Sequence, residues 1–286
     1  MIEIDLRPSA PDAKGQYIQE MGSVPGWFLE VDAHVFVGMD SVQHARGIHG
    51  DLLEIGVYYG KSAILLGYCV RPGEHLVVCD VFEELGDLPE ESVAEHNTYH
   101  SELRQAEFRR QYRRFHSELP EVIAAPSTSL DRDRLAGRFR FIHIDGGHAY
   151  EVVREDILTA RRLLGKGGVV VFDDWSQPHC PGVALAVWEE YLRGELIPLC
   201  LTSTKLYATW DSGGLTSQDL DEWAAAQSGI EMSYAYRLAG RDVRSYVQKK
   251  ADGLRPGQPV ALSPESALRR ALRQIVPPIL ARWGRL

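Results

Sequence analysis

"FRFIHIDGGHAYEVVREDILTARRLLGKGGVVVFDDW", residues 139–175, decides the fold. It opens on an apolar, strand-like run that stops at Asp145. Two glycines and His148 follow, and then "YEVVREDILTARRLLG" sets apolar side chains at helical spacing against a charged face. A second apolar run, "GGVVVFDD" at 167–174, again finishes on acids. Strand, helix and strand in so short a span predict a parallel pair joined by a crossover. Near-continuous apolar strands such as "GVVVF" fit a sheet covered by helices on both faces.

Working outward, the same alternation continues. "DLLEIG" (51–56) reads as a strand, "GKSAILLGYCV" (60–70) as a helix and "HLVVCDVF" (75–82) as the next strand. Residues 90–118 are polar and largely helical, and "EVIAAPS" (121–127) is a third strand. "GVALAVWEEYLRG" (182–194) is a helix. "LIPLCLTSTKLYATW" (196–210) holds two strands with no helix between them, so it predicts an antiparallel hairpin at the sheet edge. The expected architecture is an α/β, doubly wound, mostly parallel sheet with a closing hairpin. Residues 1–35 read as a helical and loop extension, 36–210 as the core, and 211–286 as a helical C-terminal extension with a basic amphipathic tail. In that extension "RPGQP" (255–259) is a linker, and Ser263 and Pro264 open a last helix that Pro277 and Pro278 interrupt.

The 286 residues are 44% apolar and 25% charged, ordinary for a soluble globular protein. A net charge of −9 argues against nucleic acid as a partner of the whole chain. From Arg237 onward the balance reverses, with eleven Lys and Arg against three Asp and Glu, so the tail is a separate, basic object. It is expected to dock on its own domain, with an anionic membrane surface or a second subunit as the other partners. There is no secretory pattern and no apolar stretch of spanning length, so the expected location is cytoplasmic. Cys69, Cys79, Cys180 and Cys200 form no C-x-x-C pair and read as reduced, buried thiols.

The chemistry-bearing residues sit where strands end. In "LLEIGVYYGKS" (52–62), Gly56 and Gly60 form a turn whose free N–H groups meet a ligand at a helix start. Val57 stands where a dinucleotide site needs a glycine beside the pyrophosphate, so a nucleoside cofactor fits better than NAD. Asp80, twenty residues past Gly60, can accept from ribose hydroxyls. Glu54, inside an apolar strand, needs buried partners. Ligands of a parallel sheet bind beyond the carboxyl ends of its strands, which is where Asp145, Asp173 and Asp174 lie. If their strands are neighbours, the three carboxylates converge and call for a divalent cation, Mg²⁺ or alternatively Mn²⁺. His148, three residues past Asp145, is a candidate general base. His143 reads as a core histidine. A two-histidine, one-carboxylate iron site from His143, Asp145 and His179 is the weaker alternative, because that site belongs on all-β barrels.

Taken together, "EIGVYYGKS", Asp80 in "VVCDVF", "IDGGHAYE" and "GGVVVFDDW" resemble the class I S-adenosylmethionine-dependent methyltransferases. More narrowly they resemble the metal-dependent O-methyltransferases of the macrocin and mycinamicin type. The resemblance covers roughly residues 50–210. It implies a Rossmann-like seven-stranded sheet, S-adenosyl-L-methionine held around Glu54, Gly56, Tyr58, Gly60, Ser62, Asp80, Ser127 and Asp145, and Mg²⁺ on Asp145, Asp173 and Asp174. His148 would be the base, with Asp145 the other catalytic residue. "PSTS" (126–129) departs from the family's usual pattern at the adenine contact. The implied reaction moves a methyl group to a hydroxyl, a sugar hydroxyl of a glycoside first and a catechol-like phenol second. Tyr59, Trp175 and His179 are the substrate-pocket candidates. A binding protein without turnover, and NAD-dependent oxidoreduction, are the competing classes.

Overall fold

The computed structural model describes residues 13–249, apart from 84, 87, 100–102, 228 and 239. The linker expected at 255–259 and the last helix expected from Ser263 lie outside the described residues.

The stretch that opened the argument forms β4 (Phe139–Ile144), α6 (Tyr150–Leu163) and β5 (Leu164–Phe172), with β4 and β5 paired in parallel. Every residue of β4 is buried. On α6 the buried side chains Val153, Asp156, Ile157, Ala160 and Leu163 recur at helical spacing and draw one face onto the sheet. Glu151 in its first turn and Arg161 and Arg162 in its last complement the helix dipole.

Around this unit stand β1 (Asp51–Ile55), α3 (Lys61–Cys69), β2 (Leu76–Asp80), α4 (Glu90–Tyr99), α5 (Gln105–Tyr112), β3 (Glu121–Ala124) and α7 (Pro181–Leu192). The hairpin is β6 (Ile197–Leu201) and β7 (Leu206–Thr209), with β7 antiparallel to both β5 and β6. Before them come α1 (Ala13–Glu20) and α2 (Glu30–Ala45), and α2 runs unbroken across residue 36. After them come α8 (Ser217–Ala225), β8 (Ile230–Leu238) and β9 (Arg241–Gln248). The strand order is β3-β2-β1-β4-β5-β7-β6-β9-β8. The seven expected strands are present, and β8 and β9 add two more at the hairpin edge.

The extension beyond residue 210 is therefore not wholly helical, as the sequence had suggested. β8 leaves most of its side chains exposed, so no buried alternation betrays it. β9 joins β6 at only two register positions, Cys200 to Arg244 and Leu201 to Ser245. Asp221 of α8 reinforces the join by accepting from Arg244 Nε at 2.8 Å and from the Tyr246 hydroxyl at 2.7 Å.

Alternate strand residues feed two cores, as the two-residue period requires. Leu52, Phe141 and Val171 face a layer containing Phe36, Met39 and Leu65, while Leu53, Ile142 and Val170 face α6 and α7 through Ile157 and Val187. The four cysteines are free and buried. No helix among the described residues is long and apolar enough to cross a membrane. The chain winds one way through β1, β2 and β3 and the other way through β4 and β5. The crevice for a ligand thus opens between the carboxyl ends of β1 and β4.

Candidate active site

The turn after β1 is fixed by backbone contact. Gly56 has a φ of +79°, and a Cβ there would stand 1.9 Å from the carbonyl oxygen of Asp145. Only glycine lets the two strand ends close so tightly. Asp145 N–H in turn donates to Ile55 C=O at 2.8 Å. Asp80 Oδ2 accepts from the N–H groups of Val57 and Tyr58 at 2.7 and 3.1 Å, and its Oδ1 accepts from Phe82 N–H at 2.7 Å. Asp80 thus ties the turn down and keeps lone-pair capacity toward the cleft, since a carboxylate offers about four acceptor sites.

Beyond the turn lies a cavity of about 510 Å³. Its walls include Gly56, Tyr58 and Asp80, then Asp145 to Gly147, Pro126 to Thr128, and Ser92 and Glu95 of α4. Asp156 of α6 completes them. The Ser127 hydroxyl donates to Asp156 Oδ1. Asp156 Oδ2 and Ser92 Oγ are buried without a hydrogen-bond partner. Burial pushes the Asp156 carboxyl up to about 7, although the Ser127 hydrogen bond and Arg132 oppose the rise. Of the sequence candidates, Gly56, Tyr58, Asp80, Ser127 and Asp145 line this cavity; Tyr59, Gly60, Glu54 and Ser62 do not. Gly60 caps α3. Tyr59 packs edge-on against Tyr58, with ring centroids 4.4 Å apart.

Glu54 and Ser62 lie beneath the cavity in a buried polar chain. Glu54 Oε1 accepts from the Ser62 hydroxyl and meets His143 Nδ1 at 2.8 Å. His143 Nε2 is 3.2 Å from Lys205 Nζ, and Lys205 donates to Asp173 Oδ2. Burial raises the Glu54 carboxyl to about 8, and burial together with Lys205 holds His143 well below its ordinary value. Lys205 is fully buried, yet the charges of Asp173, Asp145 and Asp32 outweigh that burial and raise its pKa. Asp32 itself accepts from the hydroxyls of Thr202, Thr204 and Tyr207 at 2.6, 3.0 and 2.8 Å.

The three strand-end aspartates fall into two groups. Asp145 and Asp173 lie with His143, their potential ligand atoms within 4.8 Å of one another; Asp174 lies likewise with His148 and Cys180. Asp174 Oδ2 is 3.3 Å from His148 Nε2. Glu95 holds the other side of that ring at Nδ1 and accepts from the His148 N–H at 3.2 Å. Burial alone would lower His148, but hydrogen bonds to Asp174 and Glu95 prevail and raise it to about 10. Burial and the neighbouring Asp173 push the Asp145 carboxyl well above the usual range. Burial also raises Asp173, against the pull of Lys205, whereas His148 more than offsets burial at Asp174 and lowers it. His179 stands 6.5 Å from His148, centroid to centroid, and Trp175 packs on Trp188 at 5.4 Å.

Several residues of this arrangement escaped the sequence. Glu95 is one acid among many in a polar helix, and Lys205 stands in the turn just before β7, where a lysine normally faces water. Trp27, 71% exposed, stacks on Tyr58 with centroids 5.4 Å apart.

Residues 53–175 match a family described as "Methyltransferase domain". Among solved structures, the chain is similar to the O-methyltransferase NovP, at 17% identity over 68% of this chain and 98% of that one, with a TM-score of 0.55. It is also similar to CalS11, a TDP-rhamnose 3'-O-methyltransferase of calicheamicin biosynthesis, at 17% identity over 72% and 99%, TM-score 0.42. A third is TomG from Streptomyces achromogenes, an O-methyltransferase involved in tomaymycin synthesis, at 18% identity over 71% and 92%, TM-score 0.42. No curated protein matches the sequence.

Proposed function

We propose, from the match of residues 53–175 to a methyltransferase-domain family, that the protein is an S-adenosylmethionine-dependent O-methyltransferase acting on a sugar hydroxyl. The observation that carries this reading is the position of the 510 Å³ cavity, which runs from Asp80 at the end of β2 to Asp145 at the end of β4. Its size suits a nucleoside ligand. Its floor is the glycine turn, whose Val57 and Tyr58 N–H groups the Asp80 carboxylate gathers. What supports a sugar acceptor is Tyr58, which lines the carboxylate-bearing cavity and carries the exposed Trp27 stacked on its ring. Aromatic faces cover the C–H surface of a polyol, and carboxylates accept from its hydroxyls.

The donor set fits a hard divalent cation. The Asp145 carboxylate accepts no hydrogen bond among the described residues, and Lys205 and His148 balance only part of the charge of Asp145, Asp173 and Asp174. Asp145 and Asp173, whose potential ligand atoms lie within 4.8 Å of one another, would hold Mg²⁺, and Asp174, which lies with His148 and Cys180, would be the third ligand that the resemblance implies. When bound, S-adenosylmethionine supplies an activated sulfonium methyl and Mg²⁺ a Lewis acid for the acceptor oxygen.

The remaining work falls to the chain. Asp145, locked to the turn through Gly56, sets the distance between the donor side and the acceptor side. Lys205 holds Asp173 in place and prevents the aspartates from repelling one another apart. His148 takes the acceptor proton at Nε2 while Glu95 orients the ring through Nδ1. Held between two carboxylates, its imidazole keeps its own proton at neutral pH and becomes a base as the pH rises toward its raised value of about 10.

Calorimetric titration with S-adenosylhomocysteine and with NAD, each with Mg²⁺ and with chelator, tests the reading. Micromolar binding of the first alone is expected, followed by Mg²⁺-dependent methylation of glycosides in preference to catechols. Binding of NAD, or of neither, overturns it.

A further inference from the structure

Cys180 is placed unlike a packing thiol. It is the N-cap residue of α7, where the helix dipole favours an anionic sulfur. Its Sγ meets the His148 ring, 3.3 Å from Nδ1, whereas Cys79 Sγ donates to a backbone carbonyl, that of Ala125. On the other side of the ring, Asp174 Oδ2 lies 3.3 Å from Nε2. Thiol, imidazole and carboxylate thus bring potential ligand atoms within 4.8 Å of one another.

The two clusters at the strand mouths differ in donor chemistry. His143, Asp145 and Asp173 offer two carboxylates and a buried imidazole beside the Lys205 cation. Cys180, His148 and Asp174 offer sulfur, nitrogen and oxygen, a donor set that suits zinc, whereas Mg²⁺ takes oxygen ligands. A tetrahedral zinc with bonds of about 2.0–2.3 Å sets its ligand atoms roughly 3.5 Å apart. A cluster already within 4.8 Å needs only a small side-chain adjustment to reach that spacing. The side chains of His148 and Asp174 are 27% and 25% exposed, so an ion can enter from solvent. Three protein ligands leave the fourth tetrahedral position to water.

We propose that Cys180, His148 and Asp174 form a zinc site, and that Zn²⁺ bound there silences methyl transfer. Coordination uses a thiolate and a neutral imidazole, so the thiol proton and the extra proton of the ring leave to solvent. A ring nitrogen whose lone pair is on the metal cannot take the acceptor proton, and Asp174 is withdrawn from Mg²⁺. Zinc binding stands without the methyltransferase reading; the silencing rests on it.

The test is titration of the full chain, with Mg²⁺ in excess, by Zn²⁺ in the calorimeter and by Co²⁺, the coloured stand-in for zinc, in the spectrophotometer. A single equivalent of each is expected to bind, and Co²⁺ adds the near-ultraviolet charge-transfer band of a metal–thiolate bond. Cys180→Ser keeps a small polar cap on α7. It should nevertheless abolish the band and weaken Zn²⁺ binding by at least about tenfold, the loss that follows even from removing an outer partner of a metal ligand. His148→Ala should weaken Zn²⁺ binding likewise. In a methylation assay Zn²⁺ should stop the wild-type enzyme and spare Cys180→Ser. S-adenosylhomocysteine, whose cavity none of the three residues lines, should bind with or without Zn²⁺. Absence of the band from the wild-type protein, as for a thiol that only packs, overturns the site; so does a band and a Zn²⁺ affinity unmoved by Cys180→Ser. Equal inhibition of the wild type and Cys180→Ser overturns the silencing. Failure of S-adenosylhomocysteine to bind overturns the proposed function and the silencing with it, and the cobalt band still decides the zinc site. Should Cys180→Ser fail to fold, the wild-type band and His148→Ala decide.

Discussion

The two ends of the cleft are made of different material. The turn end is held by backbone: Asp80 gathers three N–H groups, and Gly56 lies against the carbonyl of Asp145. The aspartate end is held by side-chain charge: Lys205 on Asp173, and His148 between Asp174 and Glu95. Hydrogen bonds to backbone N–H groups leave no buried cation to lose, whereas charge compensation fails when one partner is lost. The recognition end is thus rigid and the chemical end electrically poised.

That contrast can be broken by substitution. The largest effect is expected for Lys205→Met, which leaves Asp173 buried without its cation. It should cost about 3–5 kcal/mol in denaturant unfolding, and a loss below about 1 kcal/mol would show that the pair is not isolated from solvent. Asp145→Asn comes next. Turnover should fall by roughly a hundredfold or more while the dissociation constant for S-adenosylhomocysteine stays within about threefold. Equal losses in both would erase the division between the two ends. His148→Ala should slow transfer by on the order of a hundredfold and leave cofactor affinity unchanged; unaltered turnover would remove the histidine from the reaction. The smallest effect sharpens the comparison. His148 is raised to about 10 in part by Glu95, so the rate should climb with pH as the ring deprotonates. Glu95→Gln removes one of the charges that hold the proton, and the rising limb should move to lower pH. A pH–rate profile that stays in place would separate Glu95 from the ring's titration.

How much of this was legible in the sequence follows the same division. β4, α6 and β5 announce themselves because their apolar periods are long and their ends carry glycine and acid. The turn at Gly56 and the acid at Asp80 are local patterns as well. Lys205, Glu95 and Asp156 are not, because each acquires its meaning from a partner far along the chain: Asp173, His148 and Ser127 lie 32, 53 and 29 residues away. A buried charge looks in sequence like any exposed one. β8 and β9 stayed hidden for the complementary reason, since β8 is mostly exposed and β9 buries only Val243 and Tyr246, three residues apart and off the two-residue period.

The contact between Gly56 and the Asp145 carbonyl has a consequence for timing. On the methyltransferase reading proposed above, Gly56 faces the donor and Asp145 the acceptor, and because the two share one van der Waals boundary their separation is settled when the chain folds and no catalytic cycle has to establish it again. Any side chain at position 56 would therefore not merely widen the turn; it would reset the ruler by which every later encounter of donor and acceptor is measured.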